Sequence, residues 1–199
     1  KLEIMKKIIL SMAVIAASVF SLKAHGDDSH LHIKKDLSTV EWVGKKVTGQ
    51  HNGTIEIKEG TVKVEDNKIV GGEVIIDMTS IVVSDLEGDM KGKLEGHLNS
   101  ADFFDTKNHG EAILKIKSTK QKKGNTYTVK ADLTIKGITK EIEFPATIEI
   151  KDGKVAAYAE VKVDRTLYDI KYGSGKFFEG LGDKMIDDFF TVKFKVAAK

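Results

Sequence analysis

The sequence predicts an all-β fold, an antiparallel barrel of about eight strands with a short helical insert near one mouth. Three observations carry this expectation. From Leu37 onward apolar and polar residues alternate with period two, the mark of strands with one buried face. Turn signals recur roughly every 8–12 residues, the spacing of a sandwich or barrel. A single stretch, 89–98, changes to a spacing of four.

The chain opens with Met5-Lys6-Lys7 and the uncharged run Ile8 to Leu22, followed by Ala24. A basic start and an apolar core of this length describe a secretory signal, and the run falls short of the ~20 residues needed to span a bilayer. Residues 1–24 are therefore expected to be removed on export, with Lys1 to Ile4 upstream of the expected start Met5. The mature chain is expected in a periplasm or outside the cell, and not spanning a membrane. Four of the 32 basic residues and one of the 30 acidic residues lie in that segment, so the remainder is close to neutral. Such a chain lacks the clustered basic excess of a nucleic-acid binder. With no cysteine, an exported domain of this size must rely on its apolar core. Residues 25–36 read as a loosely ordered polar leader and 37–199 as one domain.

Within that domain the clearest strand alternates Tyr127, Val129, Ala131, Leu133 and Ile135 with polar residues. The next carries Ile142, Phe144, Ala146, Ile148 and Ile150, with Lys136-Gly137 as the intervening turn. Asp152-Gly153 then leads to Val155, Ala157, Ala159, Val161 and Val163. Shorter runs around Val40/Trp42, Ile55/Ile57, Val62/Val64, Val74/Ile76/Met78, Ala112/Leu114/Ile116 and Phe190/Val192/Phe194/Val196 follow the same rule. Barrel closure hides the edges of so many strands. Met90, Leu94 and Leu98, four residues apart, predict a helix weakened by Gly92 and Gly96. The adjacent pair Phe103-Phe104 cannot both face water without creating an apolar patch, so this insert is expected to cover one mouth.

Several motifs add a family resemblance. They are Val40-Glu41-Trp42 with Gly49-Gln50-His51-Asn52-Gly53, then Leu94-Glu95-Gly96-His97-Leu98-Asn99-Ser100-Ala101-Asp102-Phe103-Phe104-Asp105. Leu133-Thr134-Ile135-Lys136-Gly137-Ile138-Thr139-Lys140 and Val163-Asp164-Arg165-Thr166 complete the set. Together they resemble the YceI-like family of exported, lipocalin-like barrels that bind polyisoprenoid lipids, over about Leu37 to Ala197. The chain departs from many relatives at His109-Gly110, where they carry an aromatic-proline pair, and near Asp169, where they carry glycine. The resemblance implies an isoprenoid-tailed ligand, a prenyl phosphate or a quinone, and no other cofactor.

The residues themselves fit that implication. Trp42, Ile55, Met78, Leu114, Leu133, Phe144, Ala159 and Phe194 are the candidate tunnel lining, each of which could equally be plain core. Small inward residues, Gly53, Ala131, Ala146, Ala157 and Ala159, would leave space that a packed core fills. Three polar residues share inward parity: His51, His97 on the packed side of the helix, and Arg165. A buried guanidinium needs a partner, either Asp102, Asp105 or a bound anion. His51 and Arg165 would then mark the head-group end, or Arg165 would serve as a structural pin. Phe103, Phe104, Tyr168 and Tyr172 are candidates for the mouth, the tyrosines alternatively as loop anchors.

Other readings compete. His97, Ser100 and Asp102 are crowded in one segment without triad geometry, so enzymatic chemistry is not expected. His25, Asp27, Asp28, His30 and His32 could bind a metal weakly from the leader, although no metal site is assigned. A barrel acting through its surface, as a stress or adhesion partner, would carry no lipid. A lipid carrier is expected to touch membranes only transiently. Oligomeric state, head group and tail length stay open.

Overall fold

The computed structural model describes residues 29–199. The segment expected to be cleaved, 1–24, lies outside the described residues. Among the described residues nine strands form one sheet: β1 (Ser29–His32), β2 (Thr39–Lys46), β3 (Gly49–Glu65), β4 (Lys68–Val83), β5 (Glu111–Lys123), β6 (Thr126–Ile135), β7 (Ile138–Lys151), β8 (Lys154–Asp164) and β9 (Phe189–Ala198). All pairings are antiparallel, in the order β3-β2-β9-β8-β7-β6-β5-β4, and β4 pairs back to β3. That closes a barrel of eight strands, as the alternation predicts.

The ninth strand lies ahead of residue 37, within the segment read as a polar leader. β1 pairs with the far half of β3, Leu31 opposite Val62, and is bonded to the end of β9 through His32 N to Lys199 O at 3.1 Å. It occupies the same slot as β2, from which a short turn at Lys35–Leu37 separates it. His30 and His32 face out while Leu31 and Ile33 are buried. Leu31 and Ile33 thus supply two apolar side chains to one end of the barrel. Four residues were too few for the alternation to stand out.

The two ends of the barrel differ. At the first, tight two-residue turns join the strands: Asp66-Asn67 and Asp152-Gly153, with all four residues at positive φ. These turns follow the strand twist that hairpins need. At the second lie the long connections: α1 (Gly88–Asn99) with its following loop, and the segment 165–188. The Lys136-Gly137 hairpin, also with positive φ at both residues, sits at this second end.

The helix is shorter-sided than its spacing predicts. Leu98 is buried and Leu94 partly so, but Met90 is 61% exposed because the first turn stands clear of the barrel. The Glu95 carboxylate accepts a hydrogen bond from Val83 N at 2.9 Å, tying the helix to the end of β4. The loop behind it is closed by Phe104 N to Leu98 O at 3.1 Å and by Thr106 Oγ1 to Asn99 Oδ1 at 2.6 Å.

One irregularity has a local cause. The β7–β8 ladder runs only from Lys151/Lys154 to Ala146/Ala159, although both strands continue. Pro145, which has no N–H to donate, lies at that point. Beyond it the turn Arg165–Tyr168 lies against β7.

Candidate ligand-binding site

The barrel interior is divided. Toward the tight turns, Leu31, Val62, Val64, Ile69, Val129, Ala131, Ala146, Ile148, Val155 and Ala159 form a packed core. Toward the long loops the interior holds a cavity of about 210 Å³. A water molecule needs only about 10–15 Å³ on this measure, so the space far exceeds a packing defect.

Of the eight residues expected to line a tunnel, Trp42, Ile55, Met78, Leu114, Leu133, Phe144 and Phe194 line this cavity. Ala159 does not. It is buried in the packed half, as are Ala131 and Ala146, where small side chains let the walls approach instead of leaving a void. Gly53 likewise leaves no free volume, because the Trp42 indole fills it. A Cβ there would lie 1.8 Å from Val82 O and 2.7 Å from the indole ring. Gly53→Ala is therefore expected to destabilise the barrel by about 2–3 kcal/mol, read as a lower urea midpoint. An unchanged midpoint would mean that strands β3 and β4 can spread without penalty.

Aliphatic and aromatic residues and Gly44 make up the rest of the lining, apart from Lys45, Arg165 and Asp187. Lys45, Asp187 and Phe189 are exposed, and all three lie at the long-loop end, so the cavity reaches the surface there. A chain of edge-on rings roofs it. Tyr172 meets His97 at 4.5 Å, His97 meets Phe103 at 5.5 Å, Phe103 meets Phe104 at 5.2 Å, and Phe104 meets Phe190 at 6.0 Å. Phe103 and Phe104 line the cavity directly, whereas His97 and Tyr172 hold them from outside.

Arg165 points inward, as its parity predicts, and is 1% exposed. Its partners are not Asp102 or Asp105. The guanidinium donates to the carbonyls of Asp187 (2.9 Å), Ile170 (2.8 Å) and Ile186 (3.1 Å), lies 3.8 Å from Asp188 Oδ1, and stacks 5.6 Å from the Phe103 ring. Burial lowers its pKa, opposed by Asp188, Asp164 and Asp187. The geometry is that of a pin for segment 165–188. Tyr168 is also buried rather than at the mouth. Burial and the nearby Asp164 push its hydroxyl up to about 12. The Tyr168 hydroxyl and Trp42 Nε1 are buried without a hydrogen-bond partner among the described residues.

His51 lies outside the cavity lining. Its Nδ1 is 2.8 Å from Asp85 Oδ2, and Asn52 N donates to the same carboxylate at 3.1 Å, which joins the start of β3 to the segment before α1. Parity aimed His51 correctly, but it sits at the rim, where inward no longer means interior. Two residues that parity missed are Lys45 and Asp187. Lys45 follows Gly44 at the end of β2, and Asp187 N donates to its carbonyl at 2.9 Å. Lys45 has no ion pair among the described residues.

Asp164 anchors the other end of the loop, accepting from Thr166 N (2.9 Å), Thr166 Oγ1 (2.6 Å) and Lys176 Nζ (3.0 Å). Burial pushes its carboxyl up, but these donors outweigh burial and hold it below 3.8. A carboxyl depressed on folding stabilises above its ordinary value and loses that contribution as pH falls through the lower, folded value. The loop is thus expected to resist proteolysis equally at pH 8 and pH 5 and to loosen below about pH 4. Asp164→Asn should remove that acid step, measured by limited digestion across the pH range.

Asp169 adopts φ 59°, a left-handed conformation glycine takes freely. A family model for the YceI-like domain matches residues 31–198. The chain belongs to the YceI-like family. Solved structures agree on the fold. The YceI-like chain superposes on Burkholderia cenocepacia BcnA with TM-score 0.68 at 22% identity, covering 84% of this chain and 99% of that one. A polyisoprenoid binding domain from Saccharophagus degradans, implicated in plant cell wall breakdown, gives 0.62 at 11% identity, with 86% and 98% covered. The Campylobacter jejuni YCEI protein gives 0.51 at 18%, with 77% and 82% covered. No curated protein matches this YceI-like chain in sequence. Among its described residues no helix is long and apolar enough to cross a membrane, and no His, Cys, Asp and Glu cluster is suited to a metal.

Proposed function

We propose that this YceI-like protein is an exported binding protein that sequesters or carries one isoprenoid lipid, its tail in the barrel and its head at the long-loop mouth. It binds without turning its ligand over. The observation that carries this reading is the apolar cavity, closed by packed core at one end and reaching the surface at the other. About ten buried methylene equivalents supply about 8 kcal/mol before the cost of ordering the tail, without any polar contact. The Saccharophagus degradans relative, described as a polyisoprenoid binding domain, supports the ligand class. The basic start and apolar run at Met5 to Leu22 support export to a periplasm or the outside.

A prenyl phosphate and a quinone would both present a polar head beside Lys45. Arg165 is the weaker candidate for the head group, since three of its five N–H donors are bonded to loop carbonyls. Trp42, the single tryptophan, lines the cavity and serves as the reporter. Titration with an isoprenoid quinone is expected to quench its fluorescence saturably at one ligand per chain, and a prenyl phosphate should compete. Linear, unsaturable quenching that a prenyl phosphate leaves unchanged would contradict the proposal.

A further inference from the structure

We infer that the long-loop end of the barrel is a docking surface for a phospholipid bilayer, entered by the aromatic side chains of segment 165–189. The inference rests on the carrier reading and assigns residues to the loading step. Leu167, Tyr172, Phe177, Phe178, Met185 and Phe189 are each between 41% and 52% exposed. They account for most of the exposed large apolar side chains among the described residues, and they gather around one mouth. The opposite end presents polar turns such as Asp66-Asn67 and Asp152-Gly153. Phe189 joins the two environments, since it is exposed and also lines the cavity. Apolar surface therefore continues from solvent into the interior.

The chemistry of this rim fits a lipid interface better than a protein face. Aromatic rings and lysines with apolar stems are the side chains that settle at the head-group level. Lys171 Nζ lies 5.3 Å over the Phe177 ring and Lys176 Nζ lies 5.8 Å over the Phe189 ring. Both ammoniums are already paired, Lys171 with Asp169 at 2.6 Å and Lys176 with Asp164 at 3.0 Å and Asp188 at 3.3 Å. Lys171 and Lys176 are accordingly not free to recruit anionic lipid, and docking runs on ring insertion. A long isoprenoid is stored in the bilayer, and a mouth seated on that surface receives it without crossing water.

Because the chain has no cysteine, single labels are clean. An environment-sensitive fluorophore is placed by Phe178→Cys in the full chain, and by Tyr158→Cys on the outer wall of β8 as the control. Both positions are exposed, so neither change should disturb folding. The labels report locally, whatever the amino-terminal residues do. With phosphatidylcholine vesicles the label at 178 should brighten about threefold and become shielded from iodide. The label at 158 should do neither. A label at 178 that stays iodide-accessible on vesicles overturns the inference. So does shielding that grows with protein concentration in the absence of vesicles, which would make the face an interface between copies. Mass measurement of bound lipid in the same samples separates the two claims. Bound isoprenoid with an aqueous label rejects docking alone, while an inserted label without bound lipid upholds docking and counts against the carrier reading.

Discussion

Ala112→Trp is expected to weaken lipid binding severely while leaving the barrel at least as stable as the parent. Ala112 is buried on β5 opposite Ile76 and lines the cavity, so an indole there projects into the vacant volume. The added ring removes the space a tail would occupy and weakens binding by about 100-fold, or about 2.7 kcal/mol. Filling an apolar cavity should at the same time recover part of the few kcal/mol an empty one costs. The two readouts, ligand titration and urea unfolding, therefore move in opposite directions. A variant that binds normally would show that the ligand lies elsewhere. One that loses both binding and stability would mean the walls are already in contact at Ala112.

Arg165→Ala is expected to produce the largest loss of stability, about 3–5 kcal/mol. The substitution strands the buried carbonyl of Ile170, unties the partly buried carbonyls of Ile186 and Asp187, and removes the cation beside Asp188 and over Phe103. Segment 165–188 should then become sensitive to protease well below the global unfolding midpoint. Arg165→Lys should rescue little, because one ammonium cannot reach the directions that the planar guanidinium serves. If Arg165→Ala instead folds normally and changes only the preference between prenyl phosphates and quinones, Arg165 is a head-group ligand and the pin assignment is wrong.

These two residues also show what the sequence could and could not reveal. Period two reports which way a side chain points, so Trp42, Ile55, Met78, Leu114, Leu133, Phe144, Phe194 and Arg165 are inward as read. It does not report depth along the barrel axis. Ala159 has the right parity but sits in the packed half, and His51 has it at the rim, where its partner is Asp85. Nor does parity name partners across long loops. Arg165 is held by residues around 186–188, which no local pattern connects to it. Lys45 was invisible for the opposite reason: its parity reads outward, yet it lies where β2 ends and the wall turns into a mouth. The order of Ser29–His32 was hidden by its length, although His30-Leu31-His32-Ile33 does alternate. Pro145 was a legible signal, a residue without N–H inside a strand, and it marks where the β7–β8 ladder stops.

The central claim, that the half-empty barrel houses an isoprenoid lipid, is tested most directly by native mass spectrometry of the chain purified after export from its expressing cell, with organic extraction of what it carries. One adduct per chain is expected, extracting as an isoprenoid and absent from Ala112→Trp. A clean mass for the parent, unchanged after incubation with prenyl phosphates and isoprenoid quinones, would contradict it.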